Sequence, residues 1–186
     1  MPAKPPSTPP DLTPDLPDHE ETVRPDWVDF NGHMNVAYYV MAFDNAVDSF
    51  LNHIGIGKDY REDTGHSVFV VEAHITYEHE VHAGDGLRIT TRVLDHDEKR
   101  LQVFQHMYRM EGNGGGNGDN RGEPGALAAT NELMFLHVNL ESRRTAAFPD
   151  QAKERITRLN QAQSALPRPA QAGRAIGIKP KPSAAK

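Results

Sequence analysis

Asp29 stands three residues ahead of the run Gly32-His33-Met34-Asn35, and an amphipathic stretch opens directly after it. A turn would need only Asn31-Gly32, and a helix start only Asn35. If Asn35 caps a helix, the first amides of that helix are unpaired donors at the positive end of its dipole. The Val36 amide could then polarise a carbonyl and hold the oxyanion formed when that carbonyl is attacked. Gly32 allows close backbone approach. Asp29 could reach the same spot as a base for water or as a nucleophile. A carbonyl activator beside a carboxylate is a minimal acyl-transfer site. Spacing alone favours a simpler reading, in which Asp29 and Asn31 only shape a turn.

The elements that would position these groups follow from hydrophobic period. Apolar residues at 36, 39, 40, 43, 46, 47, 50 and 51 predict a helix over 36–51, capped by Asn35 and stopped by Gly55 and Gly57. Four stretches then read as strands: 67–78, 86–95, 100–110 and 127–140. Their period-two patterning and polar connections predict an antiparallel meander. A short extended piece over 22–28 precedes the helix, confined to an edge by Pro25. A last helix is expected over about 150–166. The order is that of an α+β domain in which a curved sheet wraps one long helix. Several strands are apolar on both faces, so a partner subunit is expected to cover part of the sheet.

Seven of the 14 prolines fall within the first 17 residues, with little apolar between them. Residues 1–20 are therefore expected as a disordered, proline-rich tail. Residues 167–186 carry five cations and no acid, and are expected as a disordered basic tail. Residues 21–166 form the folded unit, with 111–125 as a flexible glycine-rich loop: no Lys-Ser/Thr and no helix start follows it, so it is not a phosphate cradle. A net charge of −6 and the lack of a basic stripe argue against nucleic acid. The absence of cysteine removes disulfides, thiolate metal sites and a thiol nucleophile. No apolar run approaches the ~20 residues of a membrane helix, and a cytoplasmic protein is the default. The ten histidines show no H-x-H or H-E-x-x-H grouping, so no metal site is expected.

The pattern D-x-x-G-H-M-N-x-x-x-Y ahead of a long helix, followed by four strands and R-x-x-x-x-x-P at 143–149, resembles hotdog-fold acyl-CoA thioesterases of the 4-hydroxybenzoyl-CoA thioesterase type. The segments DWVDFNGH, DAVDSFLNHIG, VEAHITYEHEV, DHDEKRLQVF and ELMFLHVNL resemble in particular the betainyl-CoA thioesterases of carnitine degradation. The resemblance implies hydrolysis of a short acyl-CoA, betainyl-CoA above others, by a homodimer or larger homo-oligomer with its site between subunits. No cofactor is implied beyond the coenzyme A of the substrate. Asp29 falls on the family's catalytic carboxylate and the Val36 amide on its carbonyl-polarising donor, with His33 and Asn35 lining the same loop. Glu72, which interrupts an apolar strand, is a further catalytic candidate.

A trimethylammonium acyl group would need a cation site without a basic residue. Trp27, Tyr38, Tyr39, Phe43 and Tyr77 could supply aromatic faces, and Asp44 or Glu72 charge; Trp27, beside the Asp29 strand end, is preferred. Coenzyme A phosphates would need surface cations, for which Lys99, Arg100, Arg143 and Arg144 are the candidates. The competing readings are a hotdog enoyl-CoA hydratase and a non-catalytic acyl-CoA-binding protein on the same fold.

Overall fold

The structure, a computed structural model, describes residues 16–111 and 123–178. In chain order the elements are β1 (His19–Thr22), a 3-10 turn (Pro25–Trp27), α1 (Val36–Ile54), α2 (Lys58–Thr64), β2 (His66–Tyr77), β3 (Gly86–His96), β4 (Arg100–Glu111), β5 (Glu123–Asn139), β6 (Arg144–Thr145) and α3 (Asp150–Gln163). The 19 residues of α1 span about 28 Å. Its inner stripe buries Tyr39, Ala42, Phe43, Ala46, Val47, Phe50 and Ile54. Gly55, in the left-handed region at φ 82°, ends the helix, with its amide returned to Asn52 and that of Ile56 to Leu51.

The strands form one antiparallel sheet curled around α1, in the order β1-β3-β4-β5-β2 with β6 on β5. Two apolar clusters fill the concave side. One joins Phe50 and Ile54 to Leu101, Val103, Phe135 and Ile156; the other joins Trp27 and Phe43 to Leu87, Ile89 and Met107. This is the α+β hotdog arrangement that the sequence resemblance implies.

The meander expectation needs correction. Strands β3, β4 and β5 do follow one another, but β2 pairs with β5 along His66–Tyr77 and not with β3. The chain from Tyr77 to Gly86 must therefore cross the end of the sheet, past the start of α1. There the Met34 amide donates to the Val81 carbonyl at 2.8 Å, and Val81 is fully enclosed. Other differences are local. The stretch 22–28 is a strand end followed by the 3-10 turn, because Pro25 sits at the first turn position. The helix α2 follows Gly57 and was not foreseen. Glu111 and Glu123–Gly125 belong to strands β4 and β5, while 112–122 lie outside the described residues. Leu16 joins the core, and the chain after α3 touches the sheet at Pro167 and Gly173, so contacts with the folded body extend past 21–166 on both sides. Residues 1–15 and 179–186 lie outside the described residues.

The two sheet edges are treated differently. β1 pairs with β3 only as far as Ile89. Beyond it, the buried Gln163 side chain of α3 accepts from the Val93 amide at 2.9 Å and donates to the Thr91 carbonyl at 3.5 Å. One amide side chain thus continues the missing strand. The other edge, β2, has β5 as its single partner among the described residues, and Phe69, Val70 and Val71 on it are exposed.

Two outcomes follow. Gln163→Leu strands a buried donor and a buried acceptor and is expected to cost about 2–4 kcal/mol, read as a lower urea midpoint. A second outcome concerns acid. On the outer face, burial of His106, reinforced by the Arg92 charge, lowers its pKa from 6.5 to about 4. A histidine held neutral in the fold stabilises it fully above about pH 6.5 and loses that contribution as pH falls toward 4. The lost stability is about 3 kcal/mol. His106→Phe should flatten the acid limb of stability between those values.

Candidate active site

The loop before α1 is closed by its own backbone. Val28 bridges to Met34, the Asp29 amide donates to the His33 carbonyl at 3.1 Å, and the Gly32 amide to the Asp29 carbonyl at 3.0 Å. Gly32 adopts φ 87°, which only glycine takes without strain. The Asn35 amide donates to the Trp27 carbonyl at 2.9 Å, so the helix start is tied on both sides, to 24–28 and to the crossover.

Asp29 is half-buried at the lip of this loop. One carboxylate oxygen accepts the Asn31 amide at 2.8 Å, and the other the Asn31 side-chain amide at 3.4 Å. The polar turn and the candidate catalytic carboxylate are thus one structure: Asn31 fixes the carboxylate's direction. Asn35 accepts the Ala37 amide at 3.0 Å with its side chain and the Tyr38 amide at 2.9 Å with its carbonyl. Among the described residues no acceptor is paired with the Val36 amide. One helix-start donor is left over, as an anion or a polarised carbonyl would require.

Asp29, His33, Asn35, Val36 and Tyr39 line one wall of an open cleft of 360 Å³. The facing wall is Tyr77, Glu78, His79 and Glu80, the end of β2 and the beginning of the crossover. Tyr39 meets Tyr77 edge-on, with ring centroids 5.2 Å apart, and its hydroxyl donates to the His79 carbonyl at 3.5 Å. Burial raises the pKa of Tyr39; a hydrogen bond with the Val81 backbone opposes this, and the charges of Glu80 and Asp85 add to it. Asp29, Glu78 and Glu80 make the cleft acidic, and among the described residues no Lys or Arg lines it.

The other sequence candidates lie elsewhere. Trp27 is 1 % exposed; it stacks on Tyr38 at 5.5 Å and already carries the Arg24 guanidinium 5.2 Å from its ring centre. Phe43 is core. Glu72 borders a separate recess on the outer side of the sheet, with His74 and Glu132. Arg100 pairs with Asp97 at 2.6 Å in the β3–β4 turn that also holds Lys99. The Lys99 amide and the Arg100 side chain hold the Asp97 carboxyl down at about 2. Arg143, at φ 57°, sits over Phe69, and Arg144 lies on β6. Phe69 and Tyr77 are eight residues apart on β2, about 26 Å, so within one chain these two arginines lie far from the cleft. Glu78, His79 and Glu80 were missed. Their place in the cleft depends on the crossover, which strand periodicity does not reveal. Among the described residues no three of His, Asp or Glu are grouped to hold a metal ion.

Residues 23–156 match the model of the thioesterase-like superfamily. The chain is 37 % identical over 162 residues to the betainyl-CoA thioesterase of Pseudomonas aeruginosa, covering 87 % of this chain and 94 % of that one. It is 39 % identical over 158 residues to an L-carnitine dehydrogenase/betainyl-CoA thioesterase of Agrobacterium fabrum, covering 85 % of this chain but 30 % of that longer protein. A Staphylococcus aureus protein solved in complex with CoA superposes with a TM-score of 0.76 at 31 % identity, covering 87 % of this chain and 94 % of that one.

Asn35 offers a test of the helix start. Asn35→Ala should lower stability by about 1 kcal/mol, whereas Asn35→Asp, which can still accept the Ala37 amide, should hold the wild-type melting temperature within error.

Proposed function

The chain belongs to the thioesterase-like superfamily, and from that premise we propose that its cleft hydrolyses betainyl-CoA to betaine and coenzyme A. It is an acyl-CoA thioester hydrolase of hotdog fold. The observation that carries the chemistry is the meeting of the Asp29 carboxylate and the unpaired Val36 amide in one cleft. The thioester carbonyl oxygen accepts from the Val36 amide, which gains strength as that oxygen becomes an oxyanion. Asp29 then either takes a proton from the attacking water or attacks the carbonyl itself, forming an anhydride that water opens. In the first route Asp29 returns the water's proton to the departing thiolate as the C–S bond breaks; in the second the thiolate leaves as the anhydride forms and takes its proton from the water that opens it. His33 and Asn35 shape the loop that presents both groups.

The acyl assignment draws on the cleft wall and the relatives together. A quaternary ammonium group has no proton to donate and is held by aromatic faces and diffuse negative charge. Tyr39 and Tyr77 supply the faces, and Glu80 the charge. Trp27, enclosed and already bearing a cation, leaves the proposed site, as do Phe43 and Glu72.

The proposed enzyme is a homodimer through β2. Antiparallel pairing of two copies of this edge about a twofold axis near its middle would complete the sheet and cover Phe69, Val70 and Val71. The same operation brings the Phe69 end of one copy beside the Tyr77 end of the other. Arg143 and Arg144 of a second copy would then stand at the cleft mouth, where CoA phosphates need cations. Lys99 and Arg100 remain candidates for the nucleotide end. This reading takes the enzyme to be cytoplasmic; among the described residues no helix is long and apolar enough to cross a membrane.

Thiol release from betainyl-CoA, acetyl-CoA, a medium-chain and an aromatic thioester would test the reading in wild type, Asp29→Asn and Glu80→Gln. Asp29→Asn should lose about 10²-fold or more on every substrate. Glu80→Gln should raise KM for betainyl-CoA several-fold and leave the neutral thioesters unchanged. Faster turnover of a neutral thioester would remove the betainyl assignment, and undiminished release by Asp29→Asn would remove the mechanism. Binding without release from any substrate would turn the reading to an acyl-CoA carrier.

A further inference from the structure

His79 lies on the wall of the cleft that faces Asp29, at the start of the crossover after β2. All but one of its polar groups are committed. Its amide donates to the Ala128 carbonyl of β5 at 3.1 Å, beside that of Glu78 at 2.8 Å. Its carbonyl accepts the Tyr39 hydroxyl of α1 at 3.5 Å. Its ring Nδ1 donates to the Leu127 carbonyl at 2.8 Å. A carbonyl can only accept, so that bond puts the ring proton on Nδ1 and leaves Nε2 of the neutral imidazole as an acceptor. Among the described residues Nε2 has no partner. The residue is thus pinned to β5 and to α1, by backbone and by ring, and what it has left over is one nitrogen lone pair.

The covalent route set out above needs such a group. Once Asp29 has attacked the thioester, its carboxylate is part of an anhydride and can no longer take a proton from water. The water that opens the anhydride must lose that proton to another base. A carboxylate is a weaker base than an imidazole near neutral pH, which sets Glu78 and Glu80 behind His79. His33 is the other imidazole on the cleft, but it shares the Asp29 wall, and its ring has no bond among the described residues to set its tautomer.

We propose that His79 is the base of the second half-reaction, and that hydrolysis therefore runs through the Asp29 anhydride. In the first step an Asp29 oxygen bonds to the thioester carbonyl carbon, the C–S bond breaks and CoA leaves as the thiolate. In the second, a water oxygen bonds to the same acyl carbon, whose oxygen the Val36 amide still holds, while Nε2 takes one of the water's protons. The bond from that carbon to the Asp29 oxygen then breaks, which restores the carboxylate and frees the acid. The imidazolium passes its proton to the thiolate, and the acid ionises into solvent. The inference rests on the thioesterase reading of the cleft and gives it a second catalytic residue, on the wall opposite the first.

The experiment follows thiol release by stopped flow from betainyl-CoA, or from whichever thioester of the panel wild type turns over fastest, in wild type and His79→Asn. The asparagine amide keeps a donor for the Leu127 carbonyl but has no group that takes a proton. The variant should release one thiol per active site in a burst and then stall, with kcat down about 10²-fold. Its kcat/KM, which reports the first step, should stay within about twofold of wild type. Protein quenched in acid during the stall should carry the acyl mass on the peptide that holds Asp29. A residue that only shapes the cleft would slow both steps together and give no burst. Equal loss of kcat and kcat/KM, or wild-type turnover, would overturn the proposal, as would a burst in His33→Asn and none in His79→Asn. If melting shows that His79→Asn does not fold, His79→Gln, which reaches toward the Nε2 position, decides by the same burst and stall. Release lost in Asp29→Asn with no burst in either His79 variant would sink this inference alone. No release from any thioester by wild type would sink the thioesterase reading and this inference with it.

Discussion

Two backbone hydrogen bonds fix the start of α1: the Asn35 amide to the Trp27 carbonyl, and the Met34 amide to the Val81 carbonyl. They clamp the helix terminus between the segment before it and the crossover after β2. A helix dipole acts only within its first turn, so a terminus free to shift by a few ångströms could not serve one carbonyl oxygen. The clamp also fixes what is left unpaired. With Met34 and Asn35 spent on the frame, and Ala37 and Tyr38 on the Asn35 cap, Val36 holds the remaining amide. The catalytic donor of the proposed mechanism is in this sense a remainder, defined by the bonds its neighbours have already made.

The sheet edges and faces show the same economy. An edge strand is an invitation to pair, and this chain answers it differently on each side. Gln163 completes the hydrogen bonds of β3 where β1 stops, and Arg92 and Glu132 hold the segment after α3 at Pro167 and Gly173. Among the described residues β2 is the long strand with an unpaired edge, and β2 carries Tyr77 into the cleft. The strand with the open edge is therefore the strand whose end forms the cleft, and pairing through it, as proposed, would couple assembly to the binding surface. Arg143 and Arg144, stranded about 26 Å from the cleft in one chain, find a use only if that pairing is made.

Local chemistry was legible in the sequence, and long-range chemistry was not. Asp29, Gly32, Asn35 and Val36 lie within eight consecutive residues, so their closeness, the Asn35 cap and the unpaired Val36 amide could be read without the fold, while the roles proposed for them came from the resemblance. Tyr39 follows from helical spacing off the same point. Glu78 to Glu80 escaped notice because they come at the end of a strand and face Asp29 only through a crossover that a period-two pattern leaves open. Trp27 misled for a related reason. Its proximity in sequence to Asp29 suggested a binding wall, but the 3-10 turn set by Pro25 rotates it into the core beneath Tyr38. Gln163 lies in the last helix expected from the sequence, with no local sign of its role. Its enclosure depends on where β1 stops, at His19 opposite Ile89, 144 positions earlier.

The electrostatics of the cleft sharpen the substrate question. A CoA thioester brings several negative charges, and an electronegative cleft repels them unless they stay outside it. The wall of Asp29, Glu78 and Glu80 therefore disfavours a neutral acyl group, which would draw in part of the polyanion with nothing in return. A cationic acyl group reverses that balance: it is attracted to the depth of the cleft while the phosphates remain at the mouth. Glu78 is oriented by Thr76 and Gln171 and Asp29 by Asn31, and Glu80 completes the acidic lining. The ammonium and the nucleotide would then be sorted to opposite ends by charge. In the proposed mechanism the thioester carbonyl, held between them, would meet the Val36 amide.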